Sequence, residues 1–159
     1  MYFKLVNGLE NPIDAQDIIS SIPYDFNNTK HVASPFYALK KDAIVCFEAA
    51  LLSAALLSST HKPIVLGMSS DDNMPGQAVF VFNENGKLGA VGKSINPKNE
   101  WRDPVFSSIN ELVKSYGHTN YQIMDWSRIG DWKITNRNMN EYLFLWPERS
   151  IYDSVKGID

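Results

Sequence analysis

Residues 40–59 read KKDAIVCFEAALLSAALLSS, and the fold turns on how this stretch is read. From Ala43 onward, small and apolar residues run on without the polar stripe of a surface helix. Ala49, Ala50, Leu51, Leu52, Ala54, Ala55, Leu56 and Leu57 cover every side of a helix. A helix with no polar face is a buried one. Its many alanines let neighbouring backbones come close. Asp42 suits its N-cap, which predicts a helix running to about residue 59. The Thr60-His61-Lys62-Pro63 segment ends it, because proline cannot continue the hydrogen-bond ladder.

Beyond this helix the pattern changes to strands. Residues 63–68 (PIVLGM) are short, apolar and β-rich, as a central strand is. Residues 78–82 (AVFVF) and 87–92 (KLGAVG) flank Asn83-Glu84-Asn85-Gly86, and Asn-Gly between apolar runs is the strongest short-range hairpin signal. The polar stretch SSDDNMPG between the first two strands is a loop that delivers Gln77 to the start of a strand. Residues 94–104 read as a further loop, and 107–115 (SSINELVKS) as an amphipathic helix capped by Ser107 or Ser108. Upstream, 13–21 predict a short helix and 23–35 a polar loop. Downstream, 121–126, 132–135 and 142–146 are aromatic and strand-like, and 147–155 suit a helical turn. A helix followed by adjacent strands points to α+β with an antiparallel sheet.

The chain has 159 residues, 44% hydrophobic and 21% charged, which suits a single domain over 1–159 with a full core. A net charge of −3 and scattered Lys and Arg argue against a nucleic-acid binder. No apolar run reaches the roughly 18 residues of a membrane span. One cysteine excludes an internal disulfide and a multi-cysteine zinc site. The opening MYFKLVNGLENP lacks a secretory signal pattern, so a cytoplasmic setting is expected. GAVGKS, residues 89–94, is not a phosphate loop, because the motif needs glycine where Lys87 stands. The adjacent Asp71 and Asp72 read first as solvated turn residues, and no cofactor or metal is expected.

Cys46 has two readings. Cysteine often serves as a small buried hydrophobe. At a helix start, though, unsatisfied N–H groups and the dipole favour a thiolate, the form a nucleophile needs. Such a nucleophile also requires a base, usually histidine. His31 lies in the polar loop and His118 in a Gly-His-Thr turn. His61 ends the apolar helix, roughly 20 Å from the thiol at 1.5 Å per residue. A surface polar role suits each of the three.

The order of CFEAALLSAALL, KPIVLGMSSDD, QAVFVFNENGKLGAVGKS and WRDPVFSSINELVKSY resembles small bacterial transglutaminase-like domains. These form a branch of the papain-like cysteine enzymes. In them a helix-borne cysteine precedes a strand starting Asp-x-His, a Gly-rich hairpin, and an Arg-x-Pro segment leading into a helix. The resemblance spans residues 34–121. It implies an α+β fold with the cysteine helix packed on an antiparallel sheet, and hydrolysis or acyl transfer on a peptide or protein amide. It casts Cys46 as nucleophile and puts Gln77 where the catalytic histidine is expected. Asn96, or less well Ser94, would be the third member, with Trp101 and Asp72 along the substrate groove. Glutamine takes up no proton near neutral pH, although it can support an oxyanion or position a substrate. The resemblance therefore leaves open a cysteine enzyme drawing its base from His118 or His31, and a non-catalytic binding module on the same fold.

Overall fold

The computed structural model of the chain describes residues 8–27, 33, 35–70 and 76–125. In order, these form α1 (Pro12–Ser20), α2 (Pro35–Ala38), α3 (Cys46–Leu56), β1 (Ile64–Ser69), β2 (Gln77–Glu84) and β3 (Lys87–Gly92). A 3-10 turn (Pro97–Asn99), β4 (Arg102–Phe106), α4 (Ile109–Ser115) and β5 (Asn120–Asp125) follow. The class is α+β. The strand-like pieces expected at 132–135 and 142–146 and the turn at 147–155 lie outside the described residues.

The apolar helix is α3, and all eleven of its residues are buried. Its N-cap is Val45, not Asp42. The physical reason lies in the segment before it. Ile44 bridges Tyr24, donating its N–H to Pro23 O at 3.0 Å and accepting from Asp25 N at 2.9 Å. That pairing keeps the chain extended until Val45.

Glu48 is the one charged residue in the helix and is wholly buried. Its carboxylate accepts from Val45 N at 3.0 Å, Ala33 N at 2.8 Å, and Lys41 Nζ at 2.7 and 2.9 Å. Lys41 also pairs with Asp25 at 3.1 Å. A buried charge is tolerated only when it is paired and hydrogen-bonded in this way.

Five antiparallel strands lie in the order β4-β3-β2-β1-β5. The β2–β3 turn has Asn85 at φ 54° and Gly86 at φ 82°, the two left-handed residues of a type I′ hairpin. Residues 102–104, expected as the end of a loop, belong to edge strand β4 instead. An edge position tolerates Pro104, whose missing N–H need not enter a ladder. β1 to β4 form a meander, and α4 then carries the chain across to β5 at the other edge. That crossing puts α4 on the sheet face opposite α3.

Cross-strand register defines the two faces. Val65 opposes Phe80, and both join Cys46, Ala78, Phe82 and Val91 in the core beneath α3. Leu66 opposes Val79, and both join Met68, Val81, Ala90, Leu112 and Val113 in the core beneath α4. α1 packs on α3 and β3, and buried Gln16 meets Gly92 twice. Its Nε2 donates to Gly92 O at 2.9 Å and its Oε1 accepts from Gly92 N at 3.0 Å.

Removing the Glu48 carboxylate strands two buried N–H groups and leaves Lys41 with Asp25 as its one carboxylate partner among the described residues. Glu48→Ala is expected to cost about 3–5 kcal/mol, the range for breaking a buried ion pair, read from urea unfolding.

Candidate functional site

Cys46 is the first residue of α3 and 3% exposed. The opposite end of the helix leads to His61, whose ring lies 6.4 Å from those of Phe80 and Phe82. α3 therefore runs in the same sense as β2, with Cys46 towards the end of the sheet where β2 begins. Gln77, the first residue of β2, is at that same end.

The two residues share an end but not a face. Gln77 lies directly opposite Met68, and directly opposed residues in an antiparallel pair project to the same side. Met68 belongs to the core under α4, whereas Cys46 and the next strand residue, Ala78, belong to the core under α3. Gln77 is buried, and its Nε2 donates to Asn99 O. That bond ties the strand start to the turn before β4.

The candidates for a third member serve the same loop. Ser94 N donates to Glu100 Oε1 at 3.3 Å, and Ser94 Oγ accepts from Asn96 N at 3.2 Å. Asn96 is exposed, and its Oδ1 accepts from Lys98 N at 3.1 Å as the N-cap of the 3-10 turn. Trp101 packs against the α3-side core, with its ring 5.4 Å from Phe82 and its Nε1 donating to Asp103 at 2.8 Å. Phe82 stands four residues from Ala78, about 13 Å along the strand. Trp101 is thus on the Cys46 face but well along the sheet from its start. Asp72 lies outside the described residues.

Neither described histidine faces the thiol. His118 is buried on the α4 side, its Nδ1 3.1 Å from Ser70 Oγ, and Ser70 Oγ also lies 3.3 Å from Gly117 O. His61 sits at the far end of α3. His31 is outside the described residues. Among the described residues, no three His, Cys, Asp or Glu side chains group as metal ligands, and no helix is long and apolar enough to cross a membrane.

Two buried features at this end escape sequence reading. Lys93 continues the alternation after Val91 onto the α3 face, with its side chain 7% exposed and its Nζ 4.0 Å from Glu100 Oε1. A lysine just after an apolar strand is its only signal. On the other face, the Arg102 guanidinium lies 4.0 Å over the Tyr116 ring and donates to Ser115 Oγ and O, each at 3.0 Å. Tyr116 donates its hydroxyl to Glu100 O at 2.9 Å, and burial pushes its phenol up despite the nearby Arg102 charge. Both features brace the 93–101 loop.

Comparison with protein-family models and with curated proteins gives no match.

The thiol is enclosed, so Cys46 should react with iodoacetamide at least about tenfold slower in the native protein than in the denatured chain, since reactivity needs access as well as thiolate character. Reaction at the denatured rate would contradict the enclosure. A second prediction concerns pH. Burial lowers the His61 pKa from 6.5, with the Glu84 charge opposing. Its contribution to stability is thus complete above about pH 6.5 and is lost as pH falls, because the unfolded chain then binds the extra proton. His61→Gln should flatten the fall in urea midpoint between pH 7.5 and 5.5.

Proposed function

We propose that this domain is a transglutaminase-like fold that has left cysteine chemistry behind and acts as a non-catalytic peptide- or protein-binding module. One observation carries the reading: the face assignment that separates Gln77 from Cys46. A thiol acyl transferase needs a group beside the sulfur that accepts its proton as the sulfur attacks a carbonyl carbon. Gln77 has neither the basicity nor the orientation for this. Its amide is already committed to Asn99 O.

Cys46 at the first position of an eleven-residue helix favours a second reading. There, Cys46 attacks an amide, backbone N–H groups at the start of α3 hold the oxyanion, and His31 supplies the base. The alternatives differ in one measurable property.

Under the binding-module reading, amine release from a panel of glutamine-containing and peptide amides is the same for the native protein and Cys46→Ala. Gln77→His adds no turnover, because the new imidazole projects to the α4 side. Turnover that vanishes in Cys46→Ala, or that appears in Gln77→His, contradicts the proposal.

A further inference from the structure

The β2–β3 turn holds an Asn-Gly pair in a setting that favours a reaction within the backbone itself. Asn83 to Lys87 are all exposed. Glu84 pairs with Lys87, so Asn85 and Gly86 make up the whole loop. Exposure leaves the Asn85 side chain room to rotate towards the nitrogen that follows it. Gly86 has no Cβ, and one added there would have no atom within 4 Å. The chain has a second such pair, Asn7-Gly8, but a Cβ on Gly8 would stand 2.5 Å from Ser59 Oγ. Gly86 is thus the open one of these two glycines.

One contact restrains the pair. Gly86 N donates to Asn83 Oδ1 at 2.9 Å, an ordinary N–H···O length. An amide oxygen is no base, so it occupies the N–H without taking its proton. Solvent base must displace it before the nitrogen can act as a nucleophile.

We propose that Asn85 is a site of spontaneous deamidation through a succinimide, with the Asn83 side chain as its restraint. The Gly86 nitrogen loses its proton to solvent base and attacks Cγ of Asn85. A new N–Cγ bond closes a five-membered ring, the Cγ–Nδ2 bond breaks, and ammonia leaves with a proton from solvent. Water then opens the ring at one of its two carbonyl carbons. Opening at Cγ gives aspartate, and opening at the main-chain carbon gives isoaspartate. One water enters and one ammonia leaves, with no change of oxidation state. Isoaspartate lengthens by one backbone carbon a turn that closes on two residues. The proposal stands apart from the binding-module reading.

Peptide mapping by mass spectrometry tests this on the full chain aged in mildly alkaline buffer. The peptide holding residue 85 is expected to gain the mass of an amide turned acid, with isoaspartate in excess over aspartate. Asn83→Ala should speed that gain about fivefold, the rate equivalent of one ordinary hydrogen bond. In denaturant the two chains should age at one rate, because the restraint belongs to the fold. Hydrogen exchange checks that β2 and β3 keep their protection in the variant. If they do not, Asn83→Asp decides. It keeps an oxygen for the Gly86 N–H and should age no faster than the native chain. An Asn83→Ala rate equal to the native one, or a speed-up that persists in denaturant, overturns the proposal. So does Asn85 that stays intact while the denatured chain converts, aspartate as sole product, or faster ageing in Asn83→Asp.

Discussion

A carboxylate inside an apolar helix sets the terms for the rest of this molecule. Glu48 belongs to a helix with every residue buried, and a buried ion is stable only where partners replace the water it has lost. Those partners come from upstream: Lys41, Ala33 and Val45. Satisfying one side chain therefore pulls the segment before α3 around the helix start. Asp25 joins through Lys41. The same wrapping fixes where the helix begins and encloses Cys46 in its first turn. The sheet covers another side of α3, and α1 and α2 pack against the helix as well.

The sheet then separates two environments. In a strand, neighbouring residues face opposite ways, and a shift of one residue exchanges the faces. Gln77 and Ala78 are adjacent in sequence, yet one looks towards α4 and the other towards α3. The position beside the α3 core at the start of β2 thus belongs to a methyl group. Lys93 follows the same alternation just beyond β3, and its Nζ lies 4.0 Å from Glu100 Oε1. On the α3 face Cys46 shares a core with Ala78, Phe80 and Val91. The polar groups at this end of the molecule mostly brace the 93–101 loop.

Much of the architecture was legible from local pattern. An all-apolar run of helical length reads as α3, because burial on every side leaves no other sequence signature. Asn85-Gly86 reads as the hairpin, because its turn needs two left-handed residues. The start of α3 was not legible, since Val45 has no capping side chain and the extended approach depends on the distant Tyr24. β4 was missed because Arg102, Asp103 and Pro104 look like loop, and only pairing with β3 makes them an edge strand. The resemblance matches Cys46 and Gln77 to the nucleophile and histidine positions, and the structure has both residues at one end of the sheet on different faces. The face of Gln77 was hidden, because it follows from the register against Met68, a long-range property. Ser94 and Asn96, which the resemblance offers as third member, each accept a backbone N–H two residues on.

The face of Gln77 is the claim on which the functional reading depends, and side-chain amide NOEs measure it directly. The Gln77 Nε2 protons should show cross-peaks to Met68 and to the Asn99–Glu100 backbone, and none to the Cys46 β-protons. A Gln77–Cys46 cross-peak would place the amide against the thiol and contradict the account.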